Sequence, residues 1–184
     1  MVRFHTRIEN IVASTTFETE IPLEKIVSKY EDVEYEPEQF PGAVYRIRKP
    51  RAAALIFGSG KIVCTGARSI RDVKTVLKKV ARMVKSVRVK VPKKYEVQIE
   101  NIVASAKFDA RLNLDKIAYG FESAEYEPEQ FPGLVYRMTT PKVAFLLFTS
   151  GKIICTGVSN VKDVKRSIEK LSNELERISA FVKE

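Results

Sequence analysis

The sequence predicts an α+β fold in which ten antiparallel strands form a sheet carrying four helices on one face. Three observations point there. The chain of 184 residues is written twice, at a constant offset of 91. Each copy holds several short strand-like runs punctuated by Pro and Gly, and each closes on a long amphipathic helix. Helices grouped in this way, rather than alternating with strands, indicate an antiparallel sheet covered on one side.

The duplication is extensive. Glu9–Ser14 (ENIVAS) returns as Glu100–Ser105, and Glu34–Gly42 (EYEPEQFPG) returns unchanged as Glu125–Gly133. Ser59–Gly66 returns at Ser150–Gly157 with only Val63 changed, to Ile154. From Ile8/Ile99 to Lys79/Lys170 the copies align without a gap and 39 of 72 pairs are identical. Two copies, rather than many, indicate a pseudo-dimer and not a solenoid. The repeats are assigned to residues 1–91 and 92–184, with the short run Val89-Lys90-Val91-Pro92-Lys93-Lys94 as linker.

Each copy then reads in the same order. Residues 6–17 alternate like a strand. Pro22 opens a short helix to about Lys29, because its fixed φ suits the first helical position. Residues 33–40, 43–49, 52–57 and 61–66 read as strands, separated by Pro-Gly, Lys-Pro and Gly-Ser-Gly turns. Ser69 caps the long helix, whose apolar face is Ile70, Val73, Val76, Leu77, Val80, Val84 and Val87. Copy two repeats that face with Val161, Val164, Ile168, Leu171, Leu175 and Ile178.

Composition narrows the class. With 45% hydrophobic and 30% charged residues, disorder and low-complexity architectures are excluded. No apolar run approaches the ~18 residues that span a bilayer, and the N-terminal Met-Val-Arg-Phe-His has no signal-peptide core, so no membrane partner is expected. Cys64 and Cys155, each inside an apolar run, read as reduced packing thiols of a cytosolic protein. His5 is the sole histidine, so neither a transition-metal site nor a cofactor is expected. The net charge of +9 is local: residues 68–90 hold nine bases and one acid, Asp72. Lys74, Lys78, Arg82 and Lys85 on the polar side of that helix are either a solvated face or a docking face for an acidic protein or flanking DNA.

A sheet covered on one side should be polar on the other, and this one is not. Ala54 and Ile56 alternate with Leu55 and Phe57, and Ile62 and Cys64 alternate with Val63 and Thr65, leaving both faces apolar. Copy two repeats this with Leu146, Phe148, Ile154 and Thr156. An uncovered face of this kind is either a partner site or the inner face of a sandwich of two stacked sheets, and the alternation alone does not choose between them. Phe40 before Pro41-Gly42, Phe57 before Gly58-Ser59-Gly60, and their counterparts Phe131 and Phe148 place four large rings at strand ends, which suits a rim better than a core centre. The acidic loop Glu125–Glu129 lacks any neighbouring His or nucleophile, and Gly58-Ser59-Gly60-Lys61 lacks the spacing of a phosphate loop. No enzyme is expected.

The paired Asn-Ile-Val, EYEPEQFPG and Phe-x-Ser-Gly-Lys-Ile-x-Cys-Thr-Gly blocks resemble the two direct repeats of the TATA-box-binding protein family. The near-identity of the halves and the lack of an N-terminal extension resemble its archaeal members. The resemblance implies a pseudo-twofold saddle: a curved ten-stranded sheet whose concave face sits on the minor groove of a promoter, with four helices on the convex side. The family is the type example of wedge insertion that kinks DNA by roughly 80°, a family property and not a reading of these residues. Phe40 with Phe57, and Phe131 with Phe148, would be the wedges. Asn10, Asn101, Thr65 and Thr156 would donate to base edges; Val12, Val103, Leu55, Leu146, Val63 and Ile154 would form the apolar floor. Arg46, Arg137, Lys61 and Lys152 would hold phosphates, with Arg48 and Arg51 weaker candidates. Glu127 and Glu129 would contact transcription factor B, which brings RNA polymerase. The oligomeric state without DNA stays open, since the same apolar face could self-associate into a homodimer, and the location implied is cytoplasmic, on the nucleoid. The chain stops at Phe181-Val182-Lys183-Glu184, so no role is expected for the acidic tail of many archaeal relatives. Readings from other classes are a single-strand-binding or repair-associated sheet domain and a duplicated metabolic enzyme. The first would stack aromatics mid-sheet, and the second would need an acid, base and nucleophile set.

Overall fold

The computed structural model describes residues 1–182. Lys183 and Glu184, the last residues of the expected tail-less end, lie outside the described residues. Contacts group the chain into two compact units, residues 10–100 and residues 1–9 with 101–184.

In chain order the first elements are β1 (Phe4–Thr16), α1 (Leu23–Lys29), β2 (Val33–Glu34), β3 (Gly42–Ile47), β4 (Ala52–Phe57), β5 (Lys61–Ala67) and α2 (Ile70–Ser86). The strands lie in the hydrogen-bonded order β2-β3-β4-β5-β1, with each neighbouring pair antiparallel. The remaining elements are β6 (Gln98–Phe108), β7 (Arg111–Leu112), α3 (Leu114–Gly120), β8 (Ala124–Glu125), β9 (Leu134–Met138), β10 (Val143–Leu147), β11 (Lys152–Val158), α4 (Val161–Arg177) and β12 (Phe181–Val182). Here the order is β6-β11-β10-β9-β8, again antiparallel.

The period-2 pattern decides what each sheet face does. In β4, Ala52, Ala54 and Ile56 are buried while Ala53, Leu55 and Phe57 keep partial access to solvent. In β5, Ile62 and Cys64 are buried and Val63 and Thr65 are not. The buried face lies under α2, which contributes Val73, Val76, Leu77, Val80 and Val84. Each such side chain stabilises the fold by roughly 1.5–3 kcal/mol. The Ser69 hydroxyl accepts from the Asp72 amide at 3.0 Å, the expected cap. In the second unit α4 packs on β11 with Val164, Ile168, Leu171 and Leu175. The other faces keep solvent access at Leu55, Val63, Leu146 and Ile154, access that stacked sheets would remove.

Three expectations change. The strand 33–40 shrinks to Val33–Glu34, because the Glu36 carbonyl accepts from both the Gln39 and Phe40 amides at 3.0 Å and forms a turn instead. Pro37, within that turn, has no amide to give a ladder. Pro22 is the cap residue before α1, not its first helical residue. Strands β7 and β12, two residues each, pair Phe181 with Leu112 and add a small second ladder. That ladder brings Phe181 to 5.1 Å from Phe108, whose ring also meets Phe4 at 5.8 Å.

Both cysteines are free and buried. Burial, joined for Cys64 by the Asp72 charge, pushes the thiols up to about 11 for Cys64 and about 12 for Cys155. They remain protonated and unreactive at neutral pH. Among the described residues no helix is long and apolar enough to cross a membrane.

Candidate nucleic-acid interface

Each unit carries one copy of the same half-site on the sheet face that no helix of that unit covers. Its centre is a hydrogen-bonded chain of fixed polarity. Gly66 in β5 has φ +89°, a conformation open to glycine, and stands at a break in the register between β1 and β5. The Gly66 amide donates to Asn10 Oδ1 at 2.6 Å, and Asn10 Nδ2 donates to Thr65 Oγ1 at 3.4 Å. In the second unit Gly157, φ +97°, donates to Asn101 Oδ1 at 2.8 Å, and Asn101 Nδ2 donates to Thr156 Oγ1 at 3.2 Å.

The chemistry follows from counting donors. A backbone N–H can only donate, so it fixes Oδ1 inward and turns the amide nitrogen toward the threonine. That nitrogen keeps a second hydrogen, and the threonine oxygen, already accepting, keeps its own hydrogen to give. Each half-site therefore presents donors. A minor groove of A·T pairs offers only acceptors, adenine N3 and thymine O2.

Beside each donor pair lies an apolar surface. In the first unit Leu55 sits opposite Val63 on one side and Val44 on the other, with Val12 on β1. In the second, Leu146 sits between Ile154 and Val135, with Val103 on β6. Such a surface gives no acceptor to the amino group of guanine, which would be stranded on contact.

The ring pairs stand at the far end of the same face. Phe40 and Phe57 meet edge to face with centroids 5.7 Å apart, and Phe131 and Phe148 do so at 5.9 Å. Phe40 is 37% exposed and Phe131 43%, high for rings of this size. Gly42 and Gly133 do more than turn the chain after Pro41 and Pro132. A Cβ on Gly42 would lie 2.9 Å from the Phe40 ring and 3.0 Å from the Phe57 ring. On Gly133 the distances to Phe131 and Phe148 would be 2.7 and 3.0 Å. The rings close over bare backbone. The Phe-Pro-Gly repeat was the signal available in the sequence.

The charged candidates are all at the surface. Arg46 pairs with Glu34 at 3.2 Å, whereas Arg137 has no ion pair among the described residues. Lys61 and Lys152 are exposed at the start of β5 and β11. Glu127 and Glu129 are exposed in the loop before Phe131, where the Glu127 carbonyl accepts from the Gln130 and Phe131 amides at 3.0 Å. Among the described residues no group of three His, Cys, Asp or Glu could hold a metal.

Comparison with known proteins adds the following. The family model described as transcription factor TFIID (or TATA-binding protein, TBP) matches residues 5–87 and 96–178. The chain is 50% identical over 169 residues to the TATA-box-binding protein of Methanothermobacter thermautotrophicus, covering 92% of this chain and 93% of that one. It is 47% identical over 177 residues to that of Archaeoglobus fulgidus, covering 95% and 97%. The solved structure of Methanococcus jannaschii TBP superposes with a TM-score of 0.88 at 44% identity, covering 94% of this chain and 99% of that chain.

Proposed function

The chain belongs to the TATA-binding protein family, and on that premise we propose that it is a general transcription initiation factor that reads the minor groove of a TATA-type promoter element. The family is one of transcription factors, not enzymes. The observation that carries the reading is the donor polarity of the two half-sites: Gly66–Asn10–Thr65 and Gly157–Asn101–Thr156 each leave an amide hydrogen and a hydroxyl hydrogen to give, which match a groove that holds acceptors.

Bending follows from the ring pairs. Phe40 with Phe57, and Phe131 with Phe148, enter base steps at the two ends of the element. Unstacking a step costs a few kcal/mol, and ring contact together with the wider surface reached by the bent duplex offsets it. Val12, Leu55 and Val63, with Val103, Leu146 and Ile154, line the floor and exclude guanine. Arg46, Arg137, Lys61 and Lys152 hold the flanking phosphates, which sets position rather than sequence. Glu127 and Glu129 offer carboxylates to transcription factor B, through which RNA polymerase is recruited. The same apolar face supports a homodimer when no duplex is present, and the protein works in the cytoplasm on the nucleoid.

A duplex labelled at both ends tests the wedges. Wild-type protein raises energy transfer between the ends of an A·T-rich duplex, and Phe57→Ala or Phe148→Ala lowers that transfer more than it lowers nonspecific association. Unchanged transfer in both variants removes the wedge role.

A further inference from the structure

Along the strands of the two open faces, one position changes charge at the offset of 91: Thr16 on β1 becomes Lys107 on β6. Period 2 sets the face. Ile102, Ala104, Ala106 and Phe108 are buried, so Lys107 points to the open side with Asn101, Val103 and Ser105. It stands in register with Lys152, which shares the face of Ile154 and Thr156. In the first unit the matching pair is Thr16 with Lys61.

Two ammonium groups directly opposite on neighbouring strands repel each other, which costs the free fold stability. Lys107 moves away from this by leaning over the turn that follows Phe148. Its Nζ donates to the Ser150 carbonyl and lies 3.3 Å from where a Cβ on Gly151 would stand. The turn itself is fixed, because the Gly151 amide donates to the Phe148 carbonyl at 2.9 Å and the Phe148 amide to the Lys152 carbonyl at 3.0 Å. One short hairpin thus holds an edge-to-face ring and two exposed lysines. Ser150 uses one hydrogen of the Lys107 ammonium and leaves the others to give.

We propose that Lys107 is a further phosphate-binding residue, closing with Lys152 on one backbone phosphate beside the base step that Phe148 enters. This rests on the reading that the open face takes a duplex. A phosphodiester seated between the two ammonium groups replaces their repulsion with charge-assisted hydrogen bonds. At the matching hairpin of the first unit Thr16 leaves Lys61 to hold its phosphate alone. A phosphate contact carries no base information, so the clamp adds affinity and salt dependence at one end without changing the sequence read.

Equilibrium binding to an A·T-rich duplex over a salt series tests this, since each neutralised phosphate adds about 0.9 to the slope of log affinity against log salt. Lys107→Thr, which installs the first unit's residue, lowers the slope by about one and weakens binding roughly three- to tenfold at low salt. It leaves the ranking of base-substituted duplexes unchanged. Thr16→Lys, which builds the clamp in the first unit, raises the slope by about one. Lys162→Thr, an equal change of charge at an exposed position of α4, keeps the wild-type slope. An unmoved slope in Lys107→Thr overturns the clamp and leaves duplex reading intact. An equal drop in Lys162→Thr also overturns it, by reducing the effect to net charge. If the wild-type protein binds no A·T-rich duplex at all, the underlying reading falls and the clamp falls with it.

Discussion

The two halves differ far more on their helices than on their open sheet faces. Asn10 and Asn101, Thr65 and Thr156, and all four rings are kept in type and geometry. On the helix side, α2 carries six basic residues and one acid, while α4 carries five and four. Tyr136 donates to Glu174, whereas Tyr45 has no side-chain hydrogen bond among the described residues. A duplicated chain that meets a nearly symmetric ligand must keep both copies of the contact surface alike, and nothing holds its outer helices to that rule. The retained face and the diverged face thus report two separate constraints on one backbone.

The comparison breaks most readily at the glycines beneath the rings. Gly42→Ala and Gly133→Ala each force a ring pair apart, at about 1–3 kcal/mol of overpacking. The effect is larger at Gly133, where the nearest ring carbon is at 2.7 Å against 2.9 Å for Gly42. Duplex bending by energy transfer, alongside thermal melting, measures both. A larger loss at Gly42 contradicts the assigned geometry.

Next come the central amides. Asn10→Asp and Asn101→Asp keep the oxygen that accepts from Gly66 or Gly157 and replace the outward donor with an acceptor. Each should weaken A·T-rich binding by about 1–3 kcal/mol, the cost of a buried group left unmatched. Matched losses in the two halves, read by titration against base-substituted duplexes, support the symmetry; a silent Asn101→Asp breaks it.

The smallest effect at neutral pH sharpens the helix-side difference. Burial, then the Glu174 hydrogen bond and charge, push Tyr136 up to about 12. The neutral phenol is the favoured form in the fold, so its contribution is complete below the ordinary value near 10 and is lost as pH rises toward 12. Glu174→Gln removes the charge and brings the Tyr136 ionisation down, with no change in duplex binding at neutral pH. Ultraviolet absorbance titration follows it.

Much of this was legible in the residues. The offset of 91 located the half-sites, the period-2 alternation assigned Leu55 and Val63 to the open face, and Ser69 before a helical apolar pattern marked a cap. What was hidden depended on three-dimensional approach. Pro-Gly reads as a turn, and only the distance from Gly42 to two rings reveals a packing role. The positive φ of Gly66 and Gly157, which aims an amide at an asparagine oxygen, leaves no periodic trace. The ladder of β7 and β12 is two residues long and falls below any pattern. Residues 33–40 looked extended because Pro37 suits extended chain as well as turns. The exchange of Glu174 for Met83 was visible in the repeat alignment, but its meaning required knowing which tyrosine lay across from it.

The most direct measurement is equilibrium binding to three duplexes of one length: A·T-rich, the same site with inosine·cytosine pairs, and the same site with guanine·cytosine pairs. Inosine presents the major groove of guanine without the minor-groove amino group, so the donor-lined, dry face described above predicts inosine·cytosine affinity within about tenfold of A·T and guanine·cytosine far weaker. Inosine·cytosine binding as weak as guanine·cytosine would contradict minor-groove reading by Asn10, Thr65 and their counterparts.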